Sequence, residues 1–115
     1  MNACDLIKRL HQHRSWTNRQ LQDAVKPLSD EELHRQFAIG QGSIWKTLTH
    51  LMGAEYIWLE ALLGDVSPTM PGDLATQLPG NQQGQDPIGS MRELTDRWRK
   101  LELRWGEYLS NLREE

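Results

Sequence analysis

The segment from Gly42 to Gly64 constrains the fold of this 115-residue chain most strongly, because it is predicted to form a helix that is apolar over most of its circumference. Ser43 is a favourable N-cap, and Gly64 can end the helix in a left-handed conformation. A helix with this much apolar surface is stable only when other helices cover it, so the sequence predicts a helical bundle. The helical wheel gives it two neighbouring apolar stripes: Ile44, Leu48, Leu51, Trp58, Leu59 and Leu62, and beside them Trp45, Met52, Tyr56 and Leu63.

Two polar residues of this central helix, His50 and Glu55, lie outside the strip that is predicted to face water. Burying an imidazole or a carboxylate without a partner costs free energy, so each needs an interaction. We expect Glu55 to form an ion pair with an arginine of another helix; a role in orienting a metal ligand, or as a base, is the alternative. The predicted water-facing strip comprises Lys46, Thr49, Gly53 and Glu60.

His50 is the candidate metal ligand. A neutral imidazole inside a bundle is a good ligand for zinc, nickel or iron, although an isolated interior histidine is more often a hydrogen-bonded core residue. In an antiparallel pair of helices, His13 would lie roughly 12 Å along the axis from the level of His50, too far to share an ion. We therefore interpret His13 as a core or edge histidine with a hydrogen-bond partner, and His11 and His34 as solvated.

A first helix is predicted from Met1 to Leu28, with Asn2 as its N-cap. A second capping signal, Ser29 with Glu32, predicts a short helical turn over 30–36. The predicted buried line of the first helix has spacings of three and four residues and comprises Leu6, Leu10, His13, Thr17, Leu21, Ala24 and Leu28.

A last helix is predicted to open at Asp86 and Pro87, an acidic N-cap followed by proline. Residues 65–86 before it keep no regular period and predict a long crossover loop. Three long helices and no strand predict an all-α fold in one domain, 1–115, with the first and central helices antiparallel and the central and last helices parallel. The apolar stripe of the last helix comprises Met91, Leu94, Trp98, Leu101, Trp105, Tyr108 and Leu112.

Bulk composition excludes several classes of protein. The net charge of −3, with acidic and basic residues mixed, gives no footprint for nucleic acid. The single cysteine, Cys4, cannot form an intramolecular disulfide, and the chain has no apolar run of 18 residues. We therefore expect a cytoplasmic protein that does not interact with membranes. The five tryptophans are interpreted mainly as core residues.

The central helix carries Gly42-Ser43-Ile44, then Thr47-Leu48-Thr49-His50-Leu51, Ala54-Glu55, Trp58-Leu59 and a closing Gly64. This pattern resembles the second-helix signature of the DinB/YfiT-like metalloenzyme superfamily. The first helix is similar more loosely, through Trp16-Thr17-Asn18, Leu21 and the segment 28–33. The resemblance implies an up-down-down-up four-helix bundle, of which this chain holds three long helices.

The resemblance also implies a divalent metal held by three histidines, one from the second helix and two from the fourth. His50 matches the first position, and no His-x-x-x-His pair follows it. The resemblance therefore implies that the chain is truncated before the fourth helix, which would supply the other two ligands; a natural acidic tail at the end of the last helix is the alternative. The implied function is a metal-dependent enzyme of the thiol-dependent S-transferase or hydrolase type, acting with a low-molecular-weight thiol on a small-molecule substrate. The 115-residue chain is expected to be inactive because its site is incomplete.

The alternative hypothesis is a non-catalytic helical module that forms a homodimer. In this hypothesis the Met91-to-Leu112 stripe of the last helix packs against a second copy. A weaker third hypothesis is an amphipathic partner helix bound in the groove that an absent fourth helix leaves open.

Overall fold

The computed structural model describes residues 1–70 and 88–113 of the chain. Within these ranges the backbone forms helices and irregular connections without a strand, which confirms the all-α prediction. Residues 65–70 are irregular, and the rest of the predicted crossover loop, 71–86, lies outside the described residues. The helices are α1 (Ala3–Val25), α2 (Asp30–His34), α3 (Ile44–Leu62) and α4 (Met91–Ser110).

The predicted caps determine where the first three helices begin. The Asn2 side chain accepts a hydrogen bond from the amide of Asp5, whose carboxylate accepts one from the Asn2 amide. Ser29 and Glu32 form the same reciprocal pair at α2, and the Ser43 hydroxyl accepts from the amide of Lys46 at α3. These bonds satisfy amide donors that a helix leaves unpaired at its first turn.

The helix ends are less well predicted. Gly64 has a φ of 108°, which confirms its expected left-handed conformation after α3. The predicted start of α4 at Asp86 and Pro87 is wrong, since residues 88–90 are not helical. The Ser90 hydroxyl accepts a hydrogen bond from the amide of Glu93, and the Glu93 carboxylate accepts from the amide of Gly89. This competing cap sets the start of α4 at Met91.

The hydrophobic core lies between α4, α3 and the short α2. Leu94, Trp98, Leu101 and Trp105 of α4 are all buried, which confirms the predicted stripe. The proposed dimer contact through this stripe is therefore wrong, because the stripe is covered by the chain's own helices. The buried apolar residues that join it in one cluster are Val25, Leu33, Leu48, Met52 and Leu59.

The orientation of α3 differs from the prediction. In the predicted water-facing strip, Gly53 is buried and Glu60 is half-buried, because the Glu60 carboxylate accepts a hydrogen bond from Arg104 of α4. In the first apolar stripe Leu48 and Leu59 are buried, whereas the side chain of Trp58 is 66% exposed. The helical wheel correctly predicted which residues of α3 form its apolar surface. It did not predict which of them α1 and α4 cover. The other exposed members of that stripe are Leu51 and Leu62.

Most of the predicted buried line of α1 is also wrong, although Leu21 and Leu28 are half-buried and pack against the core. Leu10 is 61% exposed, and Leu6, His13, Thr17 and Ala24 are exposed with it. The side of α1 that packs carries mainly polar residues, because these pair with polar groups of α3 and α4. Residues of that side are Cys4, His11, Arg14, Asn18 and Val25.

The contacts between α1 and α4 run in opposite chain directions. His11 contacts Trp105, and Arg14, further along α1, contacts Glu102, which comes earlier on α4. The two helices are therefore antiparallel, as the predicted topology requires. None of the described helices is long and apolar enough to cross a lipid bilayer.

Candidate functional site

His50, the predicted metal ligand, is half-buried on α3. It lies about 140° around the helix from Glu55, so the two polar positions of α3 point in different directions. Across residues 1–70 and 88–113, no group of three His, Cys, Asp or Glu side chains is arranged to hold a metal ion. His50 therefore does not meet a second and third ligand within the described part of the chain.

The other three histidines have interactions of their own. His34 Nδ1 lies 2.9 Å from the carbonyl oxygen of Asp30, and its exposed ring stacks on Trp45. His13 is exposed and stacks on Trp16, with ring centroids 5.7 Å apart, so it is not a core residue. The interpretation of His11 as solvated is wrong, because it is half-buried between α1 and α4.

The best-defined polar site is centred on Glu55, at the place where three helices meet. Its Oε1 accepts hydrogen bonds from Arg14 Nη1 at 2.7 Å and from Trp98 Nε1 at 3.1 Å. Its Oε2 accepts one from Asn18 Nδ2 at 2.9 Å. The predicted ion pair between Glu55 and an arginine of another helix is confirmed. We call Arg14, Asn18, Glu55, Trp98 and Glu102 the polar seam.

Arg14 holds the polar seam together from α1. The same Nη1 that donates to Glu55 also donates to Oε1 of Glu102 on α4. Its Nε donates to His11 Nδ1 at 3.1 Å, and its guanidinium lies 5.4 Å from the ring centroid of Trp105. Trp105 Nε1 in turn donates to the backbone carbonyl of Glu55 at 3.2 Å. One arginine therefore connects all three long helices.

The polar seam is partly buried, and the hydrogen bonds of its buried atoms are complete. Asn18 is 7% exposed and Trp98 is 1% exposed. Among the described residues, every buried side-chain nitrogen and oxygen has a hydrogen-bond partner. Since both carboxylate oxygens of Glu55 already accept from donors, this group is well placed to fix the helices and badly placed to take a proton from a substrate.

The surroundings of His11 change the pKa of its imidazole. Partial burial lowers the pKa of His11 below its ordinary value of 6.5, and the neighbouring Arg14 lowers it further. The Glu102 carboxylate acts in the opposite direction and raises the pKa of His11, but by less. A neutral imidazole is therefore favoured beside the guanidinium.

An open groove of about 970 Å³ runs between α1 and α4 beside the polar seam. Its residues include Asn18 and Glu102 of the seam and mixed charges such as Arg19, Asp96 and Arg99. Arg99 pairs with Asp96 at 2.8 Å, so part of this charge is already neutralised. His50 does not line the groove.

The sequence did not predict that residues of α1 complete the polar seam. His11, Arg14 and Asn18 recur at spacings of three and four, which is the signature of one helix face. The sequence places His11 and Arg14 near the edge of the predicted buried line and leaves the other polar residues of the helix, Asn18 among them, outside it. The carboxylate of Glu55, which needs a partner, was the signal that a polar face of another helix had to be buried against it.

Comparison with known proteins gives one match. Neither the curated proteins nor the solved structures contain a significant match to this chain. The model of the DinB family matches residues 1–115, the whole length of the chain. With its helical architecture and the His50 segment of α3, this match shows that the chain belongs to the DinB family.

Proposed function

We propose that this chain is part of a cytoplasmic, divalent-metal-dependent enzyme, with His50 as one metal ligand. The reaction class is a thiol-dependent S-transfer or a hydrolysis acting on a small-molecule substrate. The observation that carries the proposal is a half-buried histidine on α3, at the position where the DinB-like pattern has its second-helix ligand. Zinc, nickel and iron all suit an imidazole ligand.

The described residues do not form the complete ligand set. All four histidines of the chain lie within these residues, and no cluster of three possible ligands is present there. Further ligands must therefore come from outside residues 1–70 and 88–113, or from another chain.

Metal analysis of the purified chain tests this proposal. Because the described residues do not complete the ligand set, we expect the 115-residue chain to bind added zinc, nickel or ferrous iron weakly, and His50→Ala to lower that affinity by roughly tenfold or more. Bound metal per chain would be measured by inductively coupled plasma mass spectrometry. The visible absorption of added Co²⁺ would show whether nitrogen ligands are present.

His13→Ala is the matched control, since His13 is an exposed histidine on α1. It should bind as much metal as the unchanged chain. Equal binding by the unchanged chain and His50→Ala, or no binding by either, would remove His50 from the role of ligand.

A second candidate function, self-association, is favoured by exposed apolar residues on α1 and α3. On α1, the exposed apolar residues lie on the side of Arg14 that faces away from α4. On α3, they lie on the side of Glu55 that faces away from Arg104 of α4. Both rows therefore border the α1–α3 contact on the side opposite α4. We call this surface the outer flank; it comprises Leu6, Leu10, Leu51, Trp58 and Leu62.

We propose that a second copy of the chain covers the outer flank in a symmetric homodimer. Several large apolar side chains exposed on one side of a helix pair are typical of interfaces. Sedimentation equilibrium should give a dimer for the unchanged chain and a monomer for Leu10→Ser with Trp58→Ser. Leu103→Ser is the control, because Leu103 is 65% exposed on α4, outside the flank. A monomeric unchanged chain would contradict the homodimer.

A further inference from the structure

His11 lies at the junction of α1 and α4, in contact with the arginine that connects the three long helices. Its ring is tilted against the indole of Trp105, with centroids 4.6 Å apart. Its Nδ1 accepts the hydrogen bond from Arg14 Nε at 3.1 Å. Nothing in the proposed metal chemistry or in self-association uses this histidine.

The hydrogen bond specifies the protonation state of the ring. Arg14 is always a donor, so His11 Nδ1 must carry a lone pair and the ring must be neutral, with its proton on Nε2. With Nε held by His11, the Nη1 edge of Arg14 is directed at Glu55 and Glu102. The neutral ring therefore orients the guanidinium that ties α1 to α3 and α4.

We propose that His11 is a pH-sensitive latch for the polar seam. A proton on Nδ1 removes the acceptor for Arg14 Nε and places a second cation beside the guanidinium. The interaction then changes from a hydrogen bond into repulsion between two cations. Acidification loosens the attachment of α1 to α3 and α4.

The charged groups around His11 determine the direction of this effect. On α1, Arg14 opposes protonation, and the half-buried Lys8 one turn earlier adds positive charge to the same helix. On α4, Glu102 favours protonation, while Trp105 covers one face of the ring. On α3, the charge of Glu55 is already paired with Arg14. Burial and Arg14 outweigh Glu102, so the pKa of His11 is lowered in the folded chain.

This lowered pKa fixes the pH range of the latch. A group whose pKa is lower in the folded than in the unfolded chain adds stability that is complete above its unfolded value. That stability is lost as the pH falls below 6.5 and through the folded pKa of His11. The latch is therefore closed at neutral pH and opens as the pH falls through the folded pKa of His11, which lies below 6.5.

Urea unfolding at pH 7.5 and pH 5.0 tests the latch, with His11→Gln as the variant. The glutamine carbonyl can accept a hydrogen bond from Arg14 Nε at both pH values. We expect the urea midpoint of the unchanged chain to fall more between the two pH values than that of His11→Gln. His13→Gln, which alters an exposed histidine, should keep the full pH response. An equal fall in the unchanged chain and His11→Gln would overturn the proposal.

A nuclear magnetic resonance titration gives a second measurement if His11→Gln does not fold. The His11 ring protons of the folded, unchanged chain should titrate at lower pH than in the urea-unfolded chain. Amide signals of residues 10–18 should shift together with the same midpoint. A folded midpoint at or above the unfolded one would exclude the latch.

Discussion

The polar seam and the outer flank lie on two sides of the same pair of helices, α1 and α3. On α1 they reverse the usual distribution of residues, in which apolar side chains are buried and polar ones are exposed. At the seam α1 buries Arg14 and Asn18 against Glu55, whereas on the outer flank it exposes Leu6 and Leu10. An ion pair broken by removal of one buried partner costs about 3–5 kcal/mol. Full burial of a leucine stabilises by about 1.5–3 kcal/mol, and a partly exposed one forgoes only part of this. This rotation of α1 pairs Glu55 and leaves Leu6 and Leu10 exposed.

The largest expected difference between the two regions is seen by comparing two tryptophans. Trp98→Ala should lower the free energy of unfolding by about 3–5 kcal/mol, because it opens a cavity and removes a hydrogen-bond donor to Glu55. Trp58→Ala should change it by less than about 0.5 kcal/mol in the monomer, since that indole is 66% exposed. Urea titrations monitored by circular dichroism measure both. Similar losses for the two variants would mean that the outer flank is buried in solution.

An intermediate effect is expected at the ion pair itself. Glu55→Ala should cost about 2–3 kcal/mol, because the donors of Asn18 and Trp98 lose their acceptor inside the bundle. Glu31→Ala is the matched control, as Glu31 is 88% exposed and 3.8 Å from Arg35. That control should unfold at the urea midpoint of the unchanged chain. If Glu55→Ala also keeps this midpoint, the seam does not hold the helices together.

The smallest effect is expected on the outer flank of α1. Leu10→Ser should change the free energy of unfolding by less than about 0.5 kcal/mol at protein concentrations where the chain is monomeric. The measurement should be repeated at tenfold higher concentration, because a dimer would make the effect concentration-dependent. A large loss at every concentration would show that α1 packs through its leucines after all.

The sequence predicted well those features that depend on neighbouring residues. The caps at Asn2, Ser29 and Ser43 and the end at Gly64 were correct, since each is set by a side chain and a backbone within four residues. The stripe of α4 was correct because large apolar residues recur there at spacings of three and four, whereas Leu103 stands alone on the opposite side of the helix. The predicted start of α4 at Asp86 and Pro87 was wrong because Ser90 and Glu93 form a cap further along the chain. That cap also depends only on neighbouring residues.

The sequence predicted poorly those features that depend on which helix lies opposite. Glu60 was assigned to water, although Arg104 of α4 pairs with it. His11 was assigned to water, although Trp105 and Arg14 enclose it. The sequence showed that both residues are polar, but it did not show which side chain each of them contacts. His50 stays a predicted metal ligand, supported by the family pattern and by its half-buried position.

The sequence by itself determined the helices, the caps of the first three, the core stripe of α4 and membership of the DinB family. These follow from short-range hydrogen bonding and from residue spacing, both of which are encoded locally. Only the tertiary structure decided that α1 packs through Arg14 and Asn18 and leaves Leu6 and Leu10 outside. A buried carboxylate must be paired, and the identity of its partner depends on the rotation of three helices about their axes, which no local pattern specifies.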